Sequence, residues 1–146
     1  MNSLPRTMAR MRRMVLNLVA IWLASQAMGA SGQELKIVLS GSQEIPPVTT
    51  TASGTASITV NADKSVIGSA TIAGMAVTVA HIHEGAAGTN GPIILPLVKS
   101  ADNVWSVPPG ARLSDAQHES YKAGNLYFNI HSEAHRSGEI RGQIKR

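Results

Sequence analysis

Four histidines stand where imidazole chemistry could be done: His81, His83, His131 and His135. The first two lie two apart in Thr78–Pro92, "TVAHIHEGAAGTNGP", at the end of an apolar, β-branched run and just before a glycine-rich loop. Side chains alternate along a strand, so His81 and His83 share one face while Ala80 and Ile82 take the other. At a rise of ~3.3 Å per residue their Cβ atoms stand ~6.5–7 Å apart, close enough for both rings to lean onto one ion at ~2.0–2.1 Å. A third ligand must come from elsewhere. His131, which closes the run "LYFNIH", suits that place, and His135 in the loop beyond it could complete four nitrogens. Imidazole-only sets suit copper or zinc, and Glu84 and Glu133 are placed to accept from a ring and orient it. The competing reading is structural. Imidazole both donates and accepts, so these rings could simply hold the glycine-rich loop closed.

Other chemistry finds less support. There is no cysteine, and no serine sits in a GxSxG elbow, so a nucleophilic enzyme is disfavoured. "EGAAGTNGP" lacks the GK[ST] ending and the following helix of a phosphate cradle. Its Gly85, Gly88 and Gly91 read instead as positive-φ turn positions, with Asn90 in a compatible conformation. Arg136 and Arg141 could form an anion-attracting patch beside the histidines, but the preferred reading is a solvated strand face. His118, Asp115 and Glu119 fall on a surface helix, where Asp115 suits the positive N-terminus.

The elements that must position these residues begin after a leader. Met1–Arg13 carries Arg6, Arg10, Arg12 and Arg13 without an acid, Met14–Ala24 is apolar apart from Asn17, and "SQAMGA" supplies small residues. This is the pattern of a secretory signal peptide over residues 1–30, cut after Ala27, Gly29 or Ala30, and too short to span a bilayer. It predicts export to the periplasm or the medium. The four leader arginines also account for the basic balance: without them, nine of the thirteen Lys and Arg remain against nine Asp and Glu. The pI of 9.9 therefore argues for no nucleic-acid partner. Without cysteine there is no disulfide and no lipoprotein anchor. Residues 31–146 suffice for one domain that buries roughly 65% of its unfolded surface.

Beyond the leader the period is that of strands. Glu34–Ser40 sets Leu35, Ile37 and Leu39 on one face. Ala52–Val60 alternates cleanly, and "NADKS" turns it into Val66–Ala73. Ala76–His83, Pro92–Val98, Val104–Val107, Asn125–His131 and Glu139–Lys145 follow as strands. One short helix is predicted, with Ser114 as N-cap, Gln117 completing a capping box and Gly124 at C′. Seven or eight short strands predict an all-β Greek-key sandwich or flattened barrel.

Three stretches carry a family resemblance: "LSGSQEIPPVTTTASGTASITV", "AHIHEGAAGTNGPIILPL" and "LYFNIHSEAHRSGEIRGQI". Together they resemble the CHRD domain, named from chordin and found also in single-domain secreted bacterial proteins, and they place that domain at 34–146. A fainter likeness is to copper/zinc superoxide dismutases. That likeness implies His81, His83 and His131 as copper ligands and Arg141 as a loose counterpart of an anion-guiding arginine. The zinc loop, the bridging histidine and the disulfide of that family have no counterpart here. The immunoglobulin-like and dismutase-like forms of the sandwich both stay open. The expectation is an exported, non-catalytic binding module that takes copper or zinc through His81, His83 and His131, with His135 as a further ligand. Its rivals are a metal-dependent redox enzyme and a scaffold for an extracytoplasmic protein partner in which the histidines are structural.

Overall fold

The computed structural model describes residues 31–146, so the expected leader lies outside the described residues. Nine strands and one helix follow one another: β1 (Leu35–Ser40), β2 (Ser53–Val60), β3 (Val66–Ala73), β4 (Val77–Glu84), β5 (Ile93–Pro96), β6 (Val98–Ala101), β7 (Val104–Ser106), α1 (Asp115–Lys122), β8 (Leu126–Ser132) and β9 (Ile140–Ile144). Alternation does what the sequence predicts. In β2, Ala56, Ile58 and Val60 are buried, while Ser53 and Thr55 face water. The β2–β3 hairpin pairs Val60 with Val66 across its turn, where Lys64 takes a positive φ of 69°. Helix α1 has the full capping box: Ser114 accepts from the Gln117 N–H, and the Gln117 side chain accepts from the Ser114 N–H. Gly124 follows with φ 77°, the left-handed conformation that glycine adopts without a Cβ clash.

All neighbouring strands run antiparallel, in the order β5-β4-β8-β9-β1-β2-β3-β7-β6. The two ends of that order are consecutive in the chain. Strand β5 pairs with β4 and β6 pairs with β7, with only Leu97 between them. The single strand expected over Pro92–Val98 is therefore two strands on opposite edges. Pro96 has no N–H to extend the first ladder. Leu97 turns inward, 5% exposed, and its N–H donates to the Ala80 carbonyl at 2.9 Å. The sheet thus curls into a nearly closed barrel. Within the sheet β1 and β9 are held by one bridge, Ser40 with Arg141.

Gly142 lets those two strands approach: a Cβ there would lie 2.5 Å from the side chains of both Ile37 and Leu39. Inside, Leu39, Ile58, Ala70 and Ile72 meet Ile82, Leu126, Phe128, Ile130, Ile140 and Ile144 in one apolar cluster. Aliphatic residues carry this core, as the scarcity of aromatics requires. Among the described residues no helix is long and apolar enough to cross a membrane.

Leu97 joins the two edges, so Leu97→Ala is expected to cost about 2–5 kcal/mol, the range for a truncated core leucine. Ile67→Ala, on a side chain 68% exposed, is expected to stay within about 0.5 kcal/mol. Urea denaturation of the two variants beside the wild type checks both values.

Candidate metal centre

Strand β8 is buried on both faces, from Leu126 to Ser132. Leu126, Phe128 and Ile130 face the core. Tyr127, Asn129 and His131 point out of the barrel and are covered by loops. Across the sheet, His81 lies opposite Asn129 and His83 opposite Tyr127. On the other side of β8, Arg141 lies opposite Asn129 and Gln143 opposite Tyr127. A polar patch three strands wide therefore sits on the outer face, with His81, His83 and His131 at one side of it.

These three histidines converge. One ring nitrogen from each lies within 4.8 Å of the others. His83 Nδ1 is 2.9 Å from the Gly91 carbonyl oxygen, and His131 Nδ1 is 2.9 Å from that of Arg136. A carbonyl only accepts, so both rings carry their hydrogen on Nδ1 and keep a lone pair on Nε2. His131 Nε2 stands 3.3 Å from His81 Nδ1, which donates to it when no ion lies between them. His83 Nε2 is buried with no hydrogen-bond partner. Ligands held at ~2.0–2.1 Å around a tetrahedral ion are ~3.4 Å apart, a spacing that His81 Nδ1 and His131 Nε2 already have at 3.3 Å.

His135 stands apart from this group. It lies in the turn after β8, where its N–H donates to Ser132 Oγ at 3.1 Å and its ring acts electrostatically on Glu44 and Glu139. Glu84 and Glu133 orient no ring: Glu84 accepts from Ser120, Glu133 pairs with Arg136, and backbone carbonyls take the orienting role. His118 stacks on Tyr121, remote from the cluster.

Arg141 corrects the expectation of a solvated strand face, since it is only 1% exposed. Its guanidinium lies 3.4 Å from the centre of the Tyr127 ring, and Tyr127 stacks in turn on His83 at 4.9 Å. Strand alternation does point Arg141 out of the barrel, but the loop after β4 folds back and covers it. The glycines of that loop also differ from expectation. Only Gly88 has a positive φ, 81°. Gly91 serves close approach instead, because a Cβ there would fall 1.7 Å from the Glu84 carbonyl oxygen.

Two further buried residues carry no local signal in the sequence. Asn129 Nδ2 donates to both carboxyl oxygens of Glu44, at 2.9 and 3.0 Å. Burial raises the Glu44 pKa above its ordinary value, and the Asn129 hydrogen bond and the Arg141 charge offset only part of that rise. Only the fold brings these residues together, since 85 positions separate them.

Three imidazoles thus converge under the surface loops of an all-β barrel, in an arrangement that could hold a metal ion. Residues 35–144 match the family model of the CHRD domain, and the chain belongs to that family. Comparison with curated proteins and with solved structures finds no match.

Burial lowers the pKa of His81 below 6.5, and the charges of His131 and His83 add to the effect. Burial does the same to His83, against the opposing pull of the Gly91 carbonyl and with a further push from His131 and Arg141. Both rings are therefore neutral in the folded protein near pH 7, while the unfolded chain protonates them around pH 6.5. The unfolded state binds more protons below that pH, so stability is full above it and falls as pH drops through the lowered folded values. Urea midpoints measured from pH 7.5 down to 5.5 should decline in the metal-free wild type and decline less in a His81→Gln/His83→Gln variant.

Proposed function

We propose that the protein is an exported binding module that holds one copper or zinc ion through His81, His83 and His131. The observation that supports this most directly is His83 Nε2: a buried nitrogen with a free lone pair, beside two further imidazoles, in a ring already oriented from its other nitrogen. Leaving such a group unpartnered costs about 1–3 kcal/mol, a cost that coordination removes. The pinned Nδ1–H groups of His83 and His131 are the outer contacts by which metal-binding histidines are commonly held. His81 would move its hydrogen from Nδ1 to Nε2 to offer a lone pair toward the other two. Export to the periplasm or the medium rests on the leader pattern of residues 1–30.

Three protein ligands would leave a fourth position for water or another small ligand, which favours as a second reading a metal-dependent redox enzyme. The scaffold reading also has support, because His83 and His131 each hold a loop carbonyl through Nδ1.

Titration of the purified protein with copper and with zinc, followed by calorimetry, separates these readings. One-to-one, sub-micromolar binding is expected, weakened by about 100-fold or more in His81→Ala/His83→Ala and little changed in His135→Ala. No saturable binding, with the double variant merely less stable to heat, would make the histidines structural. Superoxide turnover by the copper-loaded protein would move the assignment to the redox enzyme.

A further inference from the structure

We infer that Arg141 is a positioning residue for this metal site, holding His83 in its ligating orientation through the loop 85–92 and through Tyr127. The inference rests on the reading of His81, His83 and His131 as metal ligands. His83 takes its orientation from the Gly91 carbonyl, yet the segment leading to Gly91 has little packing of its own. Ala86, Ala87, Gly88, Thr89 and Asn90 are all exposed.

Arg141 ties that segment down near both its ends. One terminal nitrogen donates to the Ala86 carbonyl and the other to Asn90 Oδ1, each at 3.3 Å. The Asn90 amide passes the restraint on by donating to the Ile45 carbonyl at 3.0 Å. A second route runs through Tyr127. The guanidinium covers its ring, the ring stacks on His83 at 14° between planes, and the Tyr127 hydroxyl accepts from the Gly91 N–H at 3.0 Å. Both routes end on Gly91 and on the His83 imidazole.

The burial of Arg141 calls for such a role. A buried cation is costly unless its donors are met, and among the described residues Arg141 forms no salt bridge. Its donors go instead to loop oxygens and to Gln143 Oε1 at 3.1 Å. A planar fork can reach Ala86 and Asn90 while stacking on an aromatic ring. An ammonium on a flexible stem cannot do both.

The test measures zinc affinity by chelator competition in the wild type, Arg141→Lys and Asn90→Ala, together with the His83 tautomer by nitrogen NMR of the metal-free proteins. Arg141→Lys keeps the charge and loses the fork, and its zinc dissociation constant should rise about 10–100-fold. Asn90→Ala removes only the exposed end of the tie and should raise it several-fold. In both variants the His83 ring should leave the pure Nδ1–H form. Wild-type affinity in both would overturn the inference, whatever their thermal stability. If Arg141→Lys does not fold, Asn90→Ala decides alone, with unchanged zinc affinity as the overturning result. A wild-type protein that takes no zinc or copper would instead sink the metal reading itself.

Discussion

Every side chain of β8 is shielded from water, on the core face and on the outer face alike. The core face needs nothing beyond aliphatic neighbours. The outer face carries Tyr127, Asn129 and His131, and polar atoms taken out of water must find partners. Much of the surface organisation answers that need. The loop after β4 brings the Gly91 N–H to Tyr127, the segment after β1 brings Glu44 to Asn129, and the turn after β8 brings the Arg136 carbonyl to His131. Three loops distant in sequence meet over one strand because that strand would otherwise bury unpaired polar groups.

Two atoms of this outer face are left without partners, His83 Nε2 and Asn129 Oδ1, and their settings differ. The histidine nitrogen adjoins two other imidazoles, in a place where an ion would complete it. The asparagine oxygen lies beneath Gly138, where a Cβ would come within 2.5 Å of it. Gly138 has φ 130°, a conformation that suits glycine, and its missing side chain lets the turn close tightly over Asn129 and Glu44. One orphan thus faces two other imidazoles, and the other marks a place where backbone has closed in.

The strand frame was largely legible, because alternation of apolar and polar residues reports directly which face is buried. The hairpin at "NADKS", the capping box at Ser114–Gln117 and the shared face of His81 and His83 all follow from local pattern and local geometry. The division of Pro92–Val98 at Leu97 was not. That apolar run reads as one strand, and only the positions of β4 and β7 assign its halves to different edges. Of the candidate ligands, His81, His83 and His131 sit at the ends of regular strands whose direction is set by period two. His135 lies in a turn, where no period says which way a side chain points.

By itself the sequence determined the all-β class, the one helix, the family and the pair of imidazoles aimed to one side of β4, since each depends on residues near one another in the chain. Tertiary structure alone decided that His131 comes to that pair across the β4–β8 register, that Arg141 is buried rather than solvated, and that Glu44 meets Asn129. The physical reason is that alternation fixes which side of a sheet a residue occupies but not what covers that side. Much of the cover over β8 comes from residues far away in the chain, 36 positions between Gly91 and Tyr127 and 85 between Glu44 and Asn129. Those contacts exist only once the barrel has closed.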